Sequence, residues 1–156
     1  MKTIFAALTI TLLLSSTFAA ENHHDHNKPT SEEKNVHPKS ALVLNSGKKW
    51  SADQDMKENM EAIYKQFVIF NDLSKTKKST NKDAIQLSAV INASAGNIIS
   101  KCKMEPKQDQ AFHVILSDLL AVAADLKKPA KVELAIESLS RALKNYTKYF
   151  DHSLPI

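Results

Sequence analysis

Four stretches of the sequence carry an apolar residue at every third or fourth position, and that rhythm decides what the chain can fold into. From about Ala52 to Leu73 the apolar positions are Met56, Met60, Ile63, Phe67 and Phe70. From about Asp83 to Lys101 they are Ala84, Leu87, Ile91, Ala95 and Ile98, with Cys102 next in step. From about Lys107 to Leu126 the stripe is Phe112, Leu116, Leu119 and Leu126, widened by Ile115, Leu120 and Val122. From about Ala130 to Asp151 it is Val132, Ile136, Leu139, Leu143, Tyr146 and Phe150. Residues three and four apart share a helix face, so each stretch reads as a helix with one side to bury. No strand-like alternation competes. Four such helices of about 20 residues with short connectors imply an all-α fold, an antiparallel up-down-up-down four-helix bundle.

The punctuation between the stretches agrees. Ser51 with Gln54 signals a capping box at the first helix, and Asp53 and Asp55 suit the positive end of its dipole. Ser74 to Asn81 is a polar loop, and Thr80 with Asp83 caps the second helix. Pro106 and Pro129 suit the first turns of the third and fourth helices. Gly96, inside the second helix, costs about 1 kcal/mol relative to alanine, which implies close packing against a neighbour. Asn45-Ser46-Gly47 reads as a turn, and Trp50 as a staple that holds the short arm before the first helix onto the bundle.

Ahead of the bundle, Met1 to Ala20 has the form of a secretory leader: Lys2, an apolar run from Ile4 to Leu14, then mostly small residues. That run is too short for a permanent membrane span, which takes about 20 residues. Cleavage after Ala19 places small residues at both recognition positions, whereas cleavage after Ala20 places Phe18 at one of them. The bacterial style of the leader implies a periplasmic protein with no membrane association after cleavage. Residues 1–19 are then the leader, 20–45 a disordered tail and 46–156 the bundle domain. The tail holds His23, His24, His26 and His37, and imidazoles in such a stretch gather Cu(II), Ni(II) or Zn(II) weakly. If cleavage follows Ala20, the new terminus Glu21-Asn22-His23 forms a square-planar Cu(II) site from an amine, two amides and an imidazole.

Charge and cysteine count narrow the function classes. The chain has 21 basic and 17 acidic residues; loss of Lys2 with the leader makes them 20 and 17, a mild net +3. The lysines are scattered and lack aromatic interleaving, so no nucleic-acid partner is expected. A single cysteine, Cys102, excludes an internal disulfide. It is buried and inert, a dimer cross-link or a metal ligand. The chain shows no Ser-His-Asp logic and no paired carboxylates in a plausible core position, and two glycines cannot build a phosphate loop. An enzyme is not expected.

The remaining chemistry gathers at one pole. In an antiparallel bundle the start of helix one, the end of helix two, the start of helix three and the end of helix four lie together. At ~1.5 Å per residue, Met56 and Met60 fall roughly 6 and 12 Å in from that pole and His113 roughly 9 Å. Cys102, Met104 and His152 lie at the pole itself. Soft sulfur and imidazole donors suit Cu(I) or haem iron and disfavour Mg or Ca. The expected arrangement has Met60 and His113 facing each other and binding haem iron or copper, with Cys102 and His152 closing the site. Methionine is also an ordinary core filler, so a cofactor-free structural or interaction bundle is the competing reading, with any protein partner unspecified.

The chain from Asp55 to Tyr149 resembles cytochrome b562, a periplasmic four-helix haem-b family. DMKENMEAI is similar to that family's first helix, where the resemblance puts the methionine haem ligand at Met60; AFHVILSDLL is similar to its third helix, and AKVELAIESL and NYTKY to its fourth. The resemblance implies haem b and electron transfer. Where the family has its histidine between two fourth-helix tyrosines, this chain has Thr147, so His152 or His113 would have to substitute. There is no CxxCH for covalent haem. Over nearly all its mature length the chain also resembles a group of uncharacterised secreted bacterial proteins. The shared motifs are Gly47-Lys48-Lys49-Trp50, Cys102-Lys103-Met104-Glu105-Pro106, Asp109 to His113, and Tyr149-Phe150-Asp151-His152. That resemblance implies no particular activity.

Overall fold

The structure, a computed structural model, describes residues 42–156. The expected leader, its cleavage point and the histidines of the tail lie outside the described residues. Four helices account for most of the rest: α1 (Gln54–Lys75), α2 (Asn81–Lys101), α3 (Pro106–Asp125) and α4 (Val132–Tyr149), with a single 3-10 turn at Pro129–Lys131 before the last. The all-α expectation holds. Among the described residues the only bridges of β type are isolated ones, Asn45 with Lys48 and Trp50 with Phe150. No helix among them is long and apolar enough to cross a membrane.

The helices bury the faces that the 3–4 spacing marks. In α1 the buried residues are Met56, Met60, Ile63, Phe67 and Phe70, the whole expected seam. In α2 the expected five are buried together with Ser88 and Ser94, and Ser88 Oγ spends its hydrogen bond on the Ala123 carbonyl of α3 at 2.6 Å. The α3 stripe is buried except Leu120, which turns outward. In α4 the deepest residues are Leu139, Ala142, Leu143 and Tyr146, while Val132 and Ile136 are only half-buried. These faces meet in one core: α1 and α3 each pack against both α2 and α4.

Local chemistry sets the boundaries. Thr80 and Asp83 form a complete capping box, each satisfying a backbone N–H of the other. Pro106 opens α3 as expected. Two expectations are corrected. The cap of α1 is Asp53, whose carboxylate accepts from Met56 N at 2.8 Å, and not Ser51; the carbonyl of Ser51 instead accepts from Gln108 Nε2 at 2.7 Å. Gly96 is exposed, and a Cβ added there would meet nothing within 4 Å. It therefore marks no close helix contact inside the bundle.

The arm before α1 belongs to the fold. Asn45 and Lys48 exchange two backbone hydrogen bonds across Ser46 and Gly47, both at positive φ, which gives the two-residue turn its hand. Leu42, at the start of the described residues, packs half-buried against the core. Trp50 is buried as the expected staple: its N–H donates to Tyr149 O, its carbonyl accepts from Asp151 N, and its indole N–H donates to Val43 O.

Candidate functional site

Hydrogen bonds at one end of the core draw the start of α1, the end of α2, the start of α3 and the end of α4 together. Lys49 Nζ donates to the Thr147 carbonyl at 2.7 Å, near the C-terminus of α4 where a cation is favoured. Gln108, in the first turns of α3, reaches Ser51 just ahead of α1. Cys102 is the C-cap residue of α2, and its Sγ–H donates to Asp53 Oδ1 at 3.3 Å, the same oxygen that caps α1. Burial above all, then the carboxylate of Asp53, pushes the Cys102 thiol up from 9.0 to about 12. The thiol is thus half-buried, protonated at neutral pH and shared between two helix ends.

His152 sits just beyond α4, its side chain only 12% exposed. Its Nδ1 lies 3.0 Å from the Tyr146 hydroxyl and its Nε2 3.5 Å from Glu61 Oε1. Tyr146 is fully buried, and a buried phenol needs a partner. Burial, followed by the negative charge of Asp53, holds its pKa far above the usual phenol range, so it stays O–H. With neutral imidazole, Glu61 can only accept. The proton then lies on Nε2, and Nδ1 accepts from Tyr146. Glu61 is itself held below the usual carboxylate range, chiefly by Lys65 at 3.1 Å. The chain Tyr146–His152–Glu61–Lys65 is complete, and both nitrogens of His152 are committed.

Between the end of α2 and the start of α3 lies a surface pocket of about 180 Å³. Cys102, Met104, Asp109 and His113 line it, with Ile98, Ile99, Phe112 and Leu116 as its apolar walls. The connector builds it. Cys102 leaves α2 with extended backbone, Met104 folds back half-buried against the core, and Pro106 restarts the helix at once. Asp109 and His113, four apart on α3, then stand one above the other on the same face.

Of the residues expected to form one site, the structure brings Cys102, Met104 and His113 to this pocket and leaves the others elsewhere. Met56 and Met60 are 0% exposed, packed in the core seam of α1. His152 is held by Tyr146 and Glu61. His113 is exposed, because its neighbour Phe112 takes the inward position on α3. Met60 and His113 therefore do not face each other. Met60 lies in the core seam of α1, whereas His113 lines the surface pocket between α2 and α3. Thr147 donates its hydroxyl proton to the Lys144 carbonyl. Among the described residues no group of three or more His, Cys, Asp or Glu side chains is placed to hold a metal ion. What the pocket offers is a different donor set, with a thioether in it.

Sequence reasoning missed Asp53, Glu61 and Tyr146 as polar members of this pole. Tyr146 carried a signal: a phenol in step with a core seam must find a hydrogen-bond partner, and His152, six residues on, is within reach. Asp53 and Glu61 are ordinary surface acids by pattern. Compared with family models, with curated proteins and with solved structures, the chain matches none.

Proposed function

We propose that the chain is an exported, non-catalytic binding protein, built as an antiparallel up-down-up-down four-helix bundle, that holds a soft monovalent metal ion, copper(I), in the pocket between α2 and α3. The observation that carries this reading is that Met104, His113, Cys102 and Asp109 all line one pocket. Thioether and neutral imidazole bind Cu(I) without losing a proton, and soft sulfur donors select it over Mg or Ca. The raised thiol pKa bears on the choice of metal. Zinc sites built on cysteine require thiolate, which a pKa of about 12 makes costly. Met104 and His113 are thus the ligands, Asp109 a source of local negative potential, and Cys102, protonated and bonded to Asp53, a wall of the pocket. The bundle orientation draws support from the hydrogen bonds that tie Trp50 to Tyr149, Cys102 to Asp53 and Gln108 to Ser51.

The test is a titration of the metal-free mature protein with Cu(I) against a chromogenic chelator, under reducing conditions. One equivalent should bind. Met104→Leu and His113→Ala should each weaken it at least about tenfold, the scale on which single changes at metal sites act. Met60→Leu should leave it unchanged. Absence of binding, or binding indifferent to both pocket variants, sinks the reading. A cofactor-free interaction bundle is the second reading, favoured by Met56 and Met60, which serve as plain core.

A further inference from the structure

We propose that the outer face of α2 is a self-association surface, on which a second copy of this chain packs its own α2 antiparallel about a two-fold axis near Asn92. This goes beyond the metal reading and rests on different observations, although Ile99 at one end of the seam also lines the α2–α3 pocket. Ile85, Ala89, Asn92, Gly96 and Ile99 are all exposed, and they step by 4, 3, 4 and 3, the spacing of a packed seam. The bundle buries a different face of α2, and among the described residues Ile85, Ala89, Asn92 and Gly96 on this flanking seam stay exposed. Ile85 and Ile99 are 53% and 62% exposed.

Three features point to a second copy as the occupant. The first is charge. From Ala84 to Ser100 there is no charged residue, whereas α1 carries Lys57, Glu58, Glu61 and Lys65, and α4 carries Glu133, Glu137, Arg141 and Lys144. A two-fold contact sets a face against itself, so any charge near the axis meets its like. A face that pairs with itself is best left neutral, and depletion of charge marks the centre of interfaces in general. The second is order. Read outward from Asn92, the stripe runs small then large in both directions: Ala89 and Ile85 one way, Gly96 and Ile99 the other. An antiparallel copy therefore sets Ile85 against Ile99, Ala89 beside Gly96 and Asn92 on Asn92. The third is room. Nothing lies within 4 Å of a Cβ at Gly96, so a neighbouring backbone can approach there. Asn92 Nδ2 gives one proton to Ser88 O at 2.9 Å and keeps a second N–H and its carbonyl, which two copies can exchange across the axis. A lone asparagine in such a seam fixes register.

Light scattering on the full mature protein under reducing conditions, from micromolar to millimolar concentration, tests the proposal. The wild type should shift from monomer to dimer mass. Ile85→Lys should hold it at monomer mass with unchanged circular dichroism, and Asn92→Asp should do the same by setting carboxylate against carboxylate. Combining Ile85→Lys with Ile99→Glu should restore the dimer, because the new ammonium of one copy faces the new carboxylate of the other. A wild type that stays monomeric throughout overturns the proposal. So does a dimer indifferent to Ile85→Lys and Asn92→Asp, or a double variant that stays monomeric.

Discussion

A thiol shared between two helix ends makes Cys102 the side chain on which most of the pole's chemistry turns. Its proton is fixed by burial and by Asp53, with Asp55 adding to the repulsion a thiolate would feel. The sign of the linkage follows. A folded-state pKa above the unfolded one contributes stability in full below the unfolded value, and the contribution is lost as pH rises through the folded value. Stability of the metal-free protein should therefore fall between pH 9 and about 12. Tyr146, whose pKa is also raised, adds to the loss above its ordinary value of 10.0. Urea unfolding across that window should show a shallower decline for Cys102→Ala than for wild type; equal slopes would mean the thiol does not titrate as described. Little of this was legible in the residue list. The presence of sulfur and imidazole at one pole was readable from helix register alone, and Met104, His113 and Cys102 do meet there. Whether His113 or Phe112 turns inward depends on which side chain the core admits, and the larger apolar ring takes that place. Whether His152 is available depends on Glu61 and Tyr146, whose proximity is tertiary.

The elements were the most readable level, since a 3–4 spacing has one physical meaning over 20 residues. All five expected apolar positions of α1 are buried. The misreadings are local. Ser51 and Gln54 have the chemistry of a capping box, but Asp53 stands nearer the first free N–H groups and takes the role. Gly96 was expected to mark a tight contact within the bundle, yet its surroundings are open. Gly96→Ala should consequently raise the stability of the dilute, monomeric protein, by up to about 1 kcal/mol, through helix propensity alone. Denaturant midpoints at low concentration check this, and a loss of stability would mean that the backbone there is constrained by something the fold does not contain.

At the scale of the described fold, stability resides in the core that all four helices share, with no side-chain polar atom left buried and unpaired among the described residues. Leu139, fully buried in α4, should cost about 2–5 kcal/mol as Leu139→Ala. Leu134, 61% exposed on the same helix, should cost less than about 0.5 kcal/mol as Leu134→Ala. Chemical denaturation of the two variants reads the contrast directly. The pairing of Trp50 with Phe150 has a mechanical consequence. The two segments run parallel, so tension applied through the chain on either side of the domain drags one backward and the other forward. Both backbone hydrogen bonds of Trp50 and its buried indole are then loaded in shear and must yield together. Tension entering beyond Phe150 also reaches α1 through His152 and Pro155, which contact Glu61 and Tyr64, so the clasp at Trp50 and the first helix share the load.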